Sequence, residues 1–117
     1  MSVEVYNIAE NLEKTIRESD EFTQLKTQYD KVFSDEPTKR MFENFRNIQL
    51  SLQEKQMMGQ PISEEEVQKA QQIAALIQQN DLIAQLLEAE QRMSTLIAEV
   101  NKIVMKPLEE LYNDQMK

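Results

Sequence analysis

What chemistry the side chains could perform is bounded first by what is missing. The chain has no histidine and no cysteine. That removes Ser-His-Asp and Cys-His catalysis, imidazole metal ligands and the usual proton shuttle near neutrality. It also removes disulfides, zinc–thiolate sites and cysteine-bound clusters. With 1 glycine in 117 residues, no phosphate-cradling loop of the GxGxxG or Walker A type is present.

Carboxylates and thioethers remain. Glu64, Glu65 and Glu66 are consecutive, so on a helix they fan outward and do not converge. They read as first-turn acids that complement a helix dipole. Glu88, Glu90 and Glu99 fall on a later helix, without the Glu-x-x-His pairs of a four-helix dimetal site. No catalytic residue, cofactor site or metal site is therefore assigned. A carboxylate-based metal-binding protein or enzyme is the least favoured reading. Met57, Met58 and Met93 could line an adaptable groove, but filling a core or a dimer seam is the preferred role for them.

Charge narrows the partners. Lys and Arg total 13, Asp and Glu total 21, and the net charge is −8. Residues 1–60 hold 8 basic and 11 acidic side chains, and residues 61–117 hold 5 and 10, so neither half is a basic module. Nucleic-acid affinity rests mainly on neutralising phosphates, so direct nucleic-acid binding is not expected. Lys39, Arg40 and Arg46 could form a small basic patch, but Glu43 lies among them and a solvated mixed face is preferred. The start MSVEVYNIAENLEK lacks the basic and apolar regions of a signal peptide. No run approaches the roughly 18 apolar residues of a membrane span. Nor do the acidic, Gln-rich polar faces suit a surface-lying membrane helix, which carries Lys and Arg. Cytoplasm is the expected compartment.

The elements that must position any site are helices. Strands lean on turns rich in Gly and Pro, and here there are 1 Gly and 3 Pro. Ala, Leu, Glu, Gln, Lys and Met dominate, all good helix formers. Ser2 is a candidate cap for a first helix over 3–18, with Val5, Ile8, Leu12 and Ile16 on one face. Ser19 caps a second over 20–33, with Phe22, Leu25, Tyr29 and Val32. Ser34 or Asp35 caps a third over 36–58, with Pro37 in its first turn and a stripe of Met41, Phe45, Ile48 and Leu52. Gly59 stops it. Ser63 and Glu66 have capping-box spacing, with Ile62 and Val67 at the staple positions, for a fourth helix over 64–79.

Asn80-Asp81 reads as a break or a fresh cap, and an apolar pattern then runs to Leu111 over a helix placed at 81–112. Leu86, Met93 and Val100 recur every seven residues, and Leu82, Ala89, Leu96 and Ile103 fill the complementary positions. Leu87, Ile97, Val104 and Leu108 add a second seam. Pro107 should kink or interrupt this helix. One helix over 81–112 would span roughly 48 Å, against a diameter of about 35 Å for a compact globule of this length. An overhanging helix with two apolar seams needs another surface. A second copy is the simplest candidate, since most soluble oligomers are symmetric homo-oligomers. The expected architecture is a single all-α domain, an antiparallel bundle of about five helices with a long C-terminal helix, dimerising through helices. The candidate interface is the set of large apolar residues from Leu82 to Leu111 just named.

Several segments carry a resemblance. Glu21 to Lys26, the run Lys39-Arg40-Met41-Phe42-Glu43-Asn44-Phe45-Arg46, Gln49 to Gln56, Leu87 to Met93 and Asn101 to Leu111 resemble the YheA family of small uncharacterised bacterial proteins. That family is related to the YlbF/YmcA group linked to competence and biofilm control. The resemblance implies an all-α fold, self-association and a cytoplasmic role in protein complexes. It also implies partners concerned with RNA processing and developmental regulation. Some relatives hold an iron–sulfur cluster through cysteines. This chain has none, so that property does not carry over.

The leading expectation is a self-associating helical adaptor or regulator, with other cytoplasmic proteins as further partners. The alternative is an indirect regulator of RNA processing or development that acts through a protein partner.

Overall fold

Helix starts follow capping chemistry. In the computed structural model, which describes residues 2–116, the chain forms α1 (Val3–Arg17), α2 (Asp20–Phe33), α3 (Glu36–Met57), α4 (Glu64–Gln78) and α5 (Asp81–Met116). No strand occurs among the described residues. Ser19 Oγ accepts from the Phe22 amide at 3.2 Å and donates to the Ile16 carbonyl at 2.6 Å, so one side chain closes α1 and opens α2. Asp35, not Ser34, caps α3: its carboxylate accepts from the Thr38 amide and hydroxyl. Ser34 donates instead to the Asp30 carbonyl, at 2.6 Å. Ser63 and Glu66 form the expected capping box. Asn80 Oδ1 accepts from the Ile83 amide at 3.0 Å, so Asn80 ends α4 and caps α5. Ser2 departs from expectation. It occupies the cap position of α1, but only its backbone carbonyl takes part, accepting from the Val5 amide.

The α3–α4 connection uses the chain's one glycine where it is needed. Gly59 has φ +70°, a conformation that costs other residues roughly 1 kcal/mol or more. The Gln60 amide reaches back to the Lys55 carbonyl at 2.8 Å and the Gly59 amide to the Gln56 carbonyl at 3.3 Å. This pair of bonds satisfies the last carbonyls of α3 and turns the chain.

The chain divides into two compact units, Met1–Leu25 with Ala89–Lys117, and Lys26–Glu88. In the second unit α3 packs against α4. Its buried residues are Val32, Phe42, Ile77, Ile83 and Leu86, with the hydroxyl-bearing Thr38. Tyr29, Phe33 and Phe42 stack in tilted and edge-on pairs with centroids 5.6–6.2 Å apart. Covering Ile83 and Leu86 completely removes each from water, worth roughly 2–3 kcal/mol per side chain. The first unit is far less covered. Ala89 is its buried apolar residue, and α1 buries none. Leu12, Ile16, Phe22, Leu25, Met93 and Leu96 are half-buried.

α5 runs unbroken through Pro107 to Met116, so the proline does not interrupt the helix. The missing N–H leaves the Ile103 carbonyl without its helical donor. Every residue from 101 to 116 is exposed, and water can serve that carbonyl at small cost. At 36 residues α5 is roughly 54 Å long. Among the described residues, no helix is long and apolar enough to cross a membrane.

Candidate functional site

α5 carries the expected interface, and its burial changes along its length. Leu86 is fully buried in the chain's own core, so it offers no surface to a partner. This corrects the sequence reading, which placed it on a free seam. Leu82 and Leu87 are half-buried in the same unit. Met93, Leu96 and Val100 are half-buried in the other unit. Ile97 stands at the threshold of exposure. Beyond it Ile103 and Val104 are 63% and 61% accessible, and Leu108 and Leu111 are also exposed. Tyr112 and Met116, absent from the expected set, continue the exposed face.

Other apolar positions in the first unit point the same way. α1 leaves Val3, Val5, Tyr6 and Ile8 exposed, while Leu12 and Ile16 on the same stripe are half-covered. Two shallow apolar grooves meet at Met93. One is lined by Leu25, Ile97 and Ala98, the other by Ala9, Leu12, Ile16 and Phe22. Arg92 edges this unit and donates to Gln24 Oε1 at 2.8 Å. These are open depressions, not enclosed pockets for a small molecule.

Among the described residues, no three acidic side chains come together as a metal site would require. Two of the cations weighed as a basic patch, Arg40 and Arg46, are engaged singly. Arg40 pairs with Glu36 at 3.5 Å. Arg46 lies 4.9 Å over the Phe42 ring and reaches Gln49 Oε1 at 3.4 Å. Lys55 bonds the Glu66 carboxylate, and with the Ser63 hydroxyl and amide it holds that carboxyl below the usual carboxylate range. This cluster clamps the α3–α4 turn. Met57 and Met58 are exposed at the end of α3.

The architecture is that of a small all-helical protein with a closed core in one unit and a bare apolar helix face in the other. The chain belongs to the family described as control of competence regulator ComK, YlbF/YmcA, whose model matches residues 5–109. It is 61% identical over 112 residues to the UPF0342 protein YheA of Bacillus subtilis, covering 96% of each chain. A solved protein of unknown function (DUF964) from Bacillus stearothermophilus is 51% identical and superposes with TM-score 0.83, over 92% of this chain and 95% of that one. The fold extends to Bacillus subtilis RicA, solved in complex with RicF, at 22% identity and TM-score 0.69 over 94% and 97% of the two chains.

Proposed function

We infer that the chain is a non-enzymatic helical interaction module, a self-associating cytoplasmic adaptor or regulator. The observation that carries this reading is the exposed apolar face on residues 101–116 of α5. Contiguous exposed apolar surface on a soluble chain marks an interaction site. The assembly of RicA with RicF supports it by analogy, since RicA shares the fold and works in a protein complex. Sedimentation velocity at micromolar concentration tests the self-association. A dimer or small oligomer is expected, and a clean monomer at tens of micromolar overturns that half of the reading.

The family's description as a regulator favours a second layer, in which the chain acts on development or RNA processing through a protein partner. The net charge of −8 opposes direct RNA contact. Affinity capture from cells with a point-mutated control, Leu111→Asp, separates the layers. Partners lost with the variant depend on the α5 face.

A further inference from the structure

We propose that Met57 and Met58, adjacent at the end of α3, form a site of reversible oxidation by peroxide. The proposal does not depend on the self-association read above.

Composition directs the chemistry to these side chains. Peroxide oxidises protein sulfur, and the reactive sulfur is that of cysteine and methionine. The chain has no cysteine and 7 methionines. Methionine therefore receives all of the sulfur oxidation that this chain can undergo.

Geometry then sorts the described methionines. Met57 and Met58 are 81% and 73% accessible. Met116 is exposed to a similar degree, at the last turn of α5. Met105 is less exposed, and Met41 and Met93 are half-buried. Oxidation of a half-buried thioether sets a polar sulfoxide among apolar neighbours and disrupts their packing. At Met57 and Met58 the added oxygen meets water.

The turn beside the pair holds without their side chains. The Gln60 amide bonds the Lys55 carbonyl, Gly59 supplies the positive φ, Lys55 bonds the Glu66 carboxylate, and Ser63 and Glu66 close the capping box. Each of these contacts is made by backbone or by another side chain, so two sulfoxides leave them in place. Residues 58–63 lie outside any helix, and residues 56–61 are all exposed. Such a stretch can enter the cleft of a reductase, as exposed loop tips enter those of proteases.

The step balances in both directions. A methionine sulfur attacks one oxygen of hydrogen peroxide, the O–O bond breaks, an S–O bond forms and the other oxygen leaves as water. Sulfur loses two electrons and peroxide gains them. A methionine sulfoxide reductase returns two electrons from a pair of thiols, which become a disulfide as the oxygen leaves as water.

Limiting hydrogen peroxide on the intact chain, followed by peptide mass mapping and circular dichroism, tests this. One oxygen each should appear at Met57 and Met58 in step with Met116, before Met41 and Met93, with helicity and Tm unchanged. The two stereospecific methionine sulfoxide reductases, with a dithiol, should then remove both oxygens. Met57→Leu with Met58→Leu should take up two oxygens fewer and keep the same Tm. Met57 and Met58 staying unmodified while Met116 reacts means that the turn is covered, and overturns the proposal. Oxidation of Met41 and Met93 as fast as the pair means that exposure does not select it, and overturns the proposal too. So does unfolding of the oxidised chain, or a sulfoxide at either position that the reductases leave in place. The expected oxidation and reduction in a chain that sediments as a monomer would uphold this site while overturning self-association.

Discussion

The first and last turns of α5 share one amphipathic pattern and have opposite fates. Residues 81–89 bury Ile83, Leu86 and Ala89, and residues 101–116 bury nothing. The apolar spacing of three and four continues through both stretches. Periodicity therefore marks an apolar face, not whether the chain itself covers it. The chain's own core serves the first stretch. The second stays exposed.

The sharpest way to break this comparison is to remove one large side chain from each stretch. Leu86→Ala should lower unfolding free energy by about 2–5 kcal/mol, because it empties a filled site. Leu111→Ala should change it by no more than about 0.5 kcal/mol in dissociated chain. Urea denaturation at the lowest workable concentration gives both numbers. Equal losses would mean that the last turns are also core. The two variants should reverse rank in sedimentation, where Leu111→Ala weakens self-association and Leu86→Ala acts only through stability.

Pro107 offers the next test. A proline inside a helix costs roughly 3 kcal/mol relative to alanine. Pro107→Ala should therefore stabilise the last turns locally by up to about that amount. The readout is amide hydrogen exchange, slower over residues 103–111 and unchanged over 81–89. Slowing in both stretches would mean that α5 unfolds as one unit and that the contrast between its ends is weak.

Asn80 sets the near end. Its side chain satisfies the Ile83 amide at the start of α5. Asn80→Ala should cost about 1 kcal/mol, and the loss should appear in global stability because Ile83 lies in the core. Ser63→Ala should cost a similar amount by removing half of the capping box. Asn80→Asp should retain most of the stability. A loss in Asn80→Asp as large as in Asn80→Ala would assign the effect to packing.

Much of this was legible because capping is local. Ser19, Ser63 and Asn80 lie within three residues of the amides they serve, so sequence spacing alone finds them. The heptad reading treated the apolar positions of α5 alike and could not divide them into covered and exposed. Leu86 and Leu108 look alike in sequence, and only tertiary coverage separates them. Ile83 escaped for a related reason. A register built on Leu82, Leu86 and Ala89 treats it as a flank, although it is fully buried. Thr38 was missed because its burial depends on a hydroxyl that donates to Asp35 within the cap. Tyr112 and Met116 were missed because the apolar pattern was followed only to Leu111 and the helix placed at 81–112, whereas α5 runs on to Met116.

The smallest effect concerns charges engaged within the chain. Lys55 and Ser63 bond the Glu66 carboxylate and lower its pKa. The unfolded chain, with an ordinary glutamate near pKa 4.3, then binds more protons than the folded chain in mild acid, so stability rises with pH through that range. The contribution is complete above about pH 5 and is lost as pH falls through the lowered folded value. Glu66→Gln should flatten that portion of the stability–pH curve while leaving sedimentation at neutral pH unchanged. A variant that kept the full acid slope would place the titration elsewhere. One that altered sedimentation would couple the α3–α4 turn to the α5 face and undo the separation of covered and uncovered regions on which the comparison stands.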